Sequence, residues 1–349
     1  MCATAGNADN DGVARLRLAF VGCGAIAEYH LAAAEANSDR IELTTAIDRN
    51  RDKARRIADA SGAEVFTSFE DALVHGRFDA VDLMLPHDLH ESAAIAAFEA
   101  GKHVLLEKPM APTLEACNRI MAAANRAGTV FMMGENAQYW PEVVKAQQLL
   151  HAGAIGEVIT AHANLNFQFD KRWFAGPNPW RFAEEHAGGG IAMDGGSHRI
   201  RALRMWMGEI DEVSAMLDHP LKAMKVESLV RALLRFKSGK LATFSAMIVD
   251  HPVGPEPGFS VTGTRGQLVI DSGPCGALWR FDPDHRQGVL VGEPQGYNKS
   301  FAPELADFAR AVLDGRPLAA GPEQSLGELR TALAIYRSAV TRQWEKVWT

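Results

Sequence analysis

The stretch Leu18-Ala-Phe-Val-Gly22-Cys-Gly24-Ala-Ile-Ala27 decides how the first third of the chain is read. An apolar run breaks at two glycines and resumes at once in small, helix-forming residues. A strand that turns through glycines into a helix is the context in which a G-x-G-x-x-G/A pattern signifies dinucleotide binding. Gly22 permits the tight turn and Gly24 lets a pyrophosphate approach the backbone. The amides of Ala25 and Ile26, at the helix N-terminus, then face its charge, and Ala27 still packs closely in the third position.

Outward from this turn, residues 16–21, 41–47, 80–85, 104–106 and 130–133 form short, continuous apolar runs. Such runs bury both faces, as strands of a doubly wound parallel sheet do. Between them the pattern predicts helices over 25–36, 52–60, 91–100 and 114–127, with Gly62, Gly101 and Gly128 where helix C-termini need a left-handed residue. Asp48 ends the second strand, placed to hydrogen-bond the adenosine-ribose hydroxyls of NAD and to repel a 2′-phosphate. Arg49 leaves NADP open, because its guanidinium would pair with that phosphate if Asp48 turned away. Ordinary loop chemistry, with Asn50 or Asp48 capping the next helix, is the plainer reading of the pair.

The chain has 349 residues, 47% hydrophobic and 23% charged, which suits two domains of moderate size. A formal charge of -7 without a basic block speaks against nucleic acid. Four scattered cysteines make neither a disulfide framework nor a zinc knuckle, so a cytoplasmic setting is expected. No signal peptide or membrane-spanning run is seen, and residues 1–14 read as a frayed tail.

After Asn136 the pattern changes. A helix is expected over 143–150 and a strand over 158–167. Hairpins are expected around Lys237-Ser-Gly-Lys240 and Arg265-Gly266, and two helices over 304–313 and 326–340 close the chain. The division is therefore 15–137, a parallel α/β domain, and 138–349, an α+β domain with a large, mainly antiparallel, open-faced sheet. That open face is expected to make a homodimer or homotetramer.

Glu107-Lys108-Pro109 follows the strand at 104–106, so Lys108 emerges at the carboxyl edge of the sheet, where ligands of open α/β sheets bind. A solvated strand-end lysine is the plain alternative. Asp194 and His198 lie four residues apart and would share one helical face, with Ile200, Leu203 and Met207 toward the core. Each also has a structural reading, Asp194 as a helix N-cap and His198 as a surface histidine. Asn136, Asn164, Asn166 and Arg172 are candidates for the convergent donors and acceptors that a polar substrate needs. His87 and His90 form a His-x-x-His pair without a third ligand at helical spacing, so no metal is expected.

Pro86-His-Asp-Leu-His90, Ala100-Gly-Lys-His-Val104, Glu107-Lys-Pro109, Trp180-Arg181, Gly188-Gly-Gly190, Asp194-x-x-x-His198, the 236–239 hairpin and Gly263-Thr-Arg-Gly266 occur in order. Together they resemble the Gfo/Idh/MocA oxidoreductase family, which includes inositol and sugar dehydrogenases. The resemblance implies a Rossmann domain, a nicotinamide cofactor and hydride transfer at a secondary alcohol or ketone of a sugar, sugar derivative or cyclitol. It also implies a catalytic group of Lys108, Asp194 and His198. It sets Pro86, His87, His90, Glu107, Trp180 and Arg181 near the cofactor, the last two as a clamp on its nicotinamide half. Here His198 would take the hydroxyl proton and Lys108 would stabilise the alkoxide, with Lys108 as the base if His198 proves dispensable. Arg201 stands where relatives commonly carry an acid, so the outer wall of the pocket is expected to differ. An NAD-retaining glycosidase with transient internal redox, or a non-catalytic sugar sensor on the same fold, are the alternative functions.

Overall fold

The computed structural model describes residues 14–171, 173–174, 179–271 and 276–348. Its first layer is a six-stranded sheet of β1 (Leu16–Val21), β2 (Ile41–Ile47), β3 (Glu64–Phe66), β4 (Ala80–Leu83), β5 (His103–Glu107) and β6 (Phe131–Gly134). Every neighbouring pair is parallel and the order is β3-β2-β1-β4-β5-β6. The order reverses between β1 and β4, which opens the crevice at which doubly wound sheets bind ligands.

The crossover helices are α1 (Ala27–Ala36), α2 (Arg51–Ser61), α3 (Phe69–His75), α4 (His90–Glu99) and α5 (Leu114–Ala127). Their ends follow the side chains available. Asn50 caps α2 by accepting the Asp52 and Lys53 amides, Thr113 caps α5 through the Ala116 amide, and Gly62 and Gly128 close those helices at φ 77° and 65°. β3 and α3 are absent from the sequence reading. A three-residue strand and a seven-residue helix are too short to display a period.

The second layer contains α6 (Pro141–His151), β7 (Val158–Gln168), α7 (Glu184–Ala187), α8 (Gly195–Met207), β8 (Ile210–Asp218), β9 (Leu229–Phe236), β10 (Leu241–Val249), β11 (Phe259–Gly263) and β12 (Gln267–Ile270). β13 (Leu278–Asp282) and β14 (His285–Gly292) follow. The remaining elements are α9 (Phe301–Asp314), α10 (Pro322–Thr341) and β15 (Glu345–Lys346). The nine strands run β14-β13-β12-β11-β7-β10-β9-β8-β15, antiparallel except where β7 lies parallel to β10. Both predicted hairpins form, while β8, β13, β14 and β15 were not foreseen. β9 alternates buried and outward residues, so one face packs on helices and the other presents Leu233.

The closing helices, which sequence could not assign to either layer, tie the two together. Phe301, Leu305 and Phe308 of α9 join Leu16, Leu18 and Phe20 in the core behind β1. In α10, Leu329 and Ala332 pack with the first sheet's core, whereas Ala334 and Ile335 pack with the second.

Candidate active site

A cleft of about 1230 Å³ runs from the Gly22 turn to α8. Gly22 has φ +93°, and a Cβ there would stand 2.3 Å from the Met84 carbonyl oxygen. Only glycine satisfies both conditions. A Cβ on Gly24 would meet nothing within 4 Å, so the backbone is open where a phosphate must approach it. Asp48 accepts the Cys23 amide at 2.9 Å and the Asn50 amide at 2.8 Å. These bonds hold its carboxylate at the cleft, next to Arg49. Gly22, Gly24, Ala25, Ile26, Asp48 and Arg49 all line this end, which fits an NAD adenosine and pyrophosphate.

At the other end the carboxyl edge of β5 delivers Glu107 and Lys108. Lys108 Nζ lies 2.5 Å from Asp194 Oδ1 and donates also to the Asp194 carbonyl at 3.1 Å. Arg181 Nε donates to Asp194 Oδ2 at 2.8 Å while its guanidinium lies 4.2 Å from the Trp180 ring centre. Burial alone would lift the Asp194 carboxyl, but Lys108 and Arg181 outweigh it and hold it well below the usual carboxylate range. Asp194 does stand at the N-cap position of α8, yet its side chain makes no capping bond. Both its oxygens are given to the two cations.

One turn along α8, His198 points its Nδ1 at Glu135 Oε1. Glu135, just past β6, is buried and also accepts Ser197 Oγ at 3.2 Å. Burial would raise its carboxyl; His198, Arg201 and Lys108 reverse that and bring it down to about 2. A carboxylate only accepts, so Nδ1 carries the imidazole proton and a neutral ring keeps its lone pair on Nε2. His198 lines the cleft, so the ring can exchange a proton there. Sequence reasoning missed Glu135: a lone glutamate 63 positions before its partner forms no motif.

The depressed Glu135 value has a sign that can be measured. Its folded value of about 2 lies below the ordinary 4.5, so ionised Glu135 stabilises the fold above pH 4.5 and that contribution is lost as pH falls toward 2. The melting-temperature gap between the natural protein and Glu135→Gln should therefore narrow steadily across that interval. A gap constant with pH would count against the ion pair.

The remaining candidates divide. Pro86, His87, Trp180, Arg181, Asn136 and Asn166 line the cleft. Burial brings His87 down to about 3, so it is a neutral imidazole; its Nδ1 donates to the Ala187 carbonyl at 2.8 Å and its ring packs 4.6 Å from Trp180. His90 is not among the lining residues. It is fully buried, with its ring nitrogens 2.8 Å from the Pro109 carbonyl and 2.9 Å from that of Leu85, and so ties the loop to the Lys108 corner.

Asn164 is also away from the cleft, its amide engaged by Glu256 and Ser245 Oγ. Asn166 donates to the same Glu256 at 2.8 Å, and Arg172 lies outside the described residues. Arg201 does not form an outer wall. It is buried against Glu328 at 3.0 Å and Ser325 at 2.8 Å on α10, and Arg204 binds the same glutamate.

Among the described residues, no helix is long and apolar enough to cross a membrane. The chain is 28% identical to the 1,5-anhydro-D-fructose reductase of Ensifer adhaerens over 95% of its length and 99% of that protein's. It is 26% identical to the levoglucosan dehydrogenase of Pseudarthrobacter phenanthrenivorans, covering 76% of this chain and 79% of that one. A crystal structure of an oxidoreductase from Thermotoga maritima superposes with a TM-score of 0.84 at 29% identity, covering 95% and 98% of the two chains. Residues 16–135 match the model of an oxidoreductase family with an NAD-binding Rossmann fold, and residues 143–269 match the GFO/IDH/MocA C-terminal domain. With the glycine turn, the Lys108–Asp194 pair and both domain matches in place, the chain belongs to the Gfo/Idh/MocA family of NAD-binding oxidoreductases.

Proposed function

We propose that this chain oxidises a secondary alcohol of a sugar, anhydrosugar or cyclitol, or reduces the matching ketone, using NAD. The observation that carries the reading is the convergence on one cleft of a lysine paired to a carboxylate and a histidine whose other nitrogen is fixed by a second carboxylate. Relatives named for anhydrosugar substrates support the substrate class.

When bound, NAD supplies the hydride acceptor at C4 of its nicotinamide. The protein's part is proton handling and placement. His198 Nε2 takes the substrate hydroxyl proton, and Glu135 stabilises the imidazolium that results. Lys108 donates to the developing alkoxide, and Asp194 fixes the lysine while Arg181 holds Asp194 from the far side. Trp180 and Arg181 flank the nicotinamide end together with Glu107, Pro86 and His87; Asp48 selects NAD over NADP. Asn136 and Asn166 meet substrate hydroxyls.

The same reading divides the chain near residue 137 and sets it in a reducing cytoplasm, where the buried thiols of Cys23 and Cys117 stay unpaired. It pairs subunits through the open sheet face, on which Met216, Leu233 and Leu241 are 78%, 48% and 48% exposed.

A panel of sugars, anhydrosugars and cyclitols incubated with NAD or NADP tests this by nicotinamide absorbance and glycoside cleavage. Net cofactor reduction with NAD preferred is the expected result. Cleavage without net reduction, or saturable binding with neither, would overturn it.

A further inference from the structure

His30 sits on α1, one turn beyond the glycine-rich corner, and is completely buried. Its Nδ1 lies 2.6 Å from Asp82 Oδ2 on β4, and its Nε2 lies 3.1 Å from Glu107 Oε1 on β5. Burial lifts the Asp82 carboxyl, and His30 opposes that lift. With both acids ionised, the single N–H of a neutral imidazole serves one of them and the imidazolium donates to both. Burial alone would strip that charge; Asp82 and Glu107 outweigh it and hold the ring protonated well above the usual histidine range. Phe20 and Phe301 pack on the ring at 6.4 and 5.2 Å between centres, closing the pocket to water.

The other acid that faces this pocket, Glu304 of α9, is fully buried, and among the described residues neither of its oxygens has a hydrogen-bond partner. Burial lifts its carboxyl well above the ordinary range, which favours its neutral form, and it makes no hydrogen bond to the ring.

None of these bonds is needed to close the sheet, whose strands pair through their backbones. Their common terminus is the corner of the cleft. Glu107 Oε2 accepts the Lys108 amide at 3.2 Å, and Glu107 itself lines the cleft beside Lys108. The carboxylates of β4 and β5 would repel one another if nothing stood between them. We propose that His30 is a positioning residue for hydride transfer, a buried cation that joins Asp82 to Glu107 and thereby fixes the Lys108 corner. The inference rests on the reading of Lys108 given above, but its own test begins with the ring.

Nitrogen-15 NMR of the cofactor-free protein, labelled at histidine, should show one imidazole still protonated on both nitrogens at about pH 8, above the ordinary histidine range. Assignment comes from its disappearance in His30→Asn. A ring with one bare nitrogen at that pH would overturn the proposal.

In His30→Asn, kcat should fall by about 10²-fold, the cost of a misplaced reacting group, while the Kd for NADH, read by fluorescence, changes little. Glu107→Gln should give a similar loss. Because both residues act along one chain of contacts, the double variant should be no slower than the slower single one. Multiplied losses, or full kcat in Glu107→Gln, would sink the idea.

Should His30→Asn not fold, Glu107→Gln still decides, through kcat and through a change in the doubly protonated imidazole's nitrogen signals, which then also supplies the assignment. If Lys108→Ala kept full turnover, the reading of Lys108 would fail, whatever the protonation of His30.

Discussion

Replacing His198 by alanine is expected to lower kcat by about 10²- to 10⁴-fold, the usual contribution of a placed general base, with NADH affinity little changed. The partition follows from the geometry. Nδ1 is committed to Glu135, so the ring's remaining nitrogen serves the cleft, while Gly22, Gly24 and Asp48, the residues proposed to hold the cofactor, line its opposite end. Imidazole added to the solution should restore part of the lost rate, because the variant leaves a space beside Trp140, whose ring packs 5.5 Å from His198. Rescue without any change in NADH affinity would mark a chemical role. A variant with undiminished kcat would move the base to Lys108.

Lys108→Ala is expected to lower kcat/KM by about 10²- to 10³-fold, the loss typical when one donor to a developing oxyanion is removed. Arg181 remains on Asp194 Oδ2, so the carboxylate keeps one of its two cations and the site should stay folded. Losing the other raises the Asp194 carboxyl toward its ordinary range, because Lys108 is the strongest of the attractions holding it down. An undiminished kcat/KM would show that the 2.5 Å pair is merely structural.

Much of the first layer was legible because its signals are local. Continuous apolar runs predict 16–21 and 41–47, and the strands form over those same residues. The 229–236 and 241–249 hairpin is equally plain, its period of two set by one buried face. In the 195–207 helix, Ile200, Leu203 and Met207 turn inward as their spacing requires, and this puts His198 toward the cleft. The pairings that give those residues their chemistry are not local. Glu135 reaches His198 across 63 positions and Lys108 reaches Asp194 across 86. Arg201 reads as a charge on the pocket wall until Glu328, more than a hundred residues away, pairs with it inside the fold.

The sequence by itself determined the parallel sheet, the glycine turn and the presence of a lysine, an acid and a histidine suited to hydride-transfer chemistry. Each depends on neighbours a few residues apart, through backbone sterics and burial of one face. Tertiary structure decided which polar groups meet. It drew Asp194 from a capping role to Lys108 and Arg181, gave His198 a carboxylate, removed Asn164 from the cleft and locked His30 between two acids. The physical reason is that buried charge is governed by separation in space and by desolvation, and both are set only when distant segments close around the same cleft.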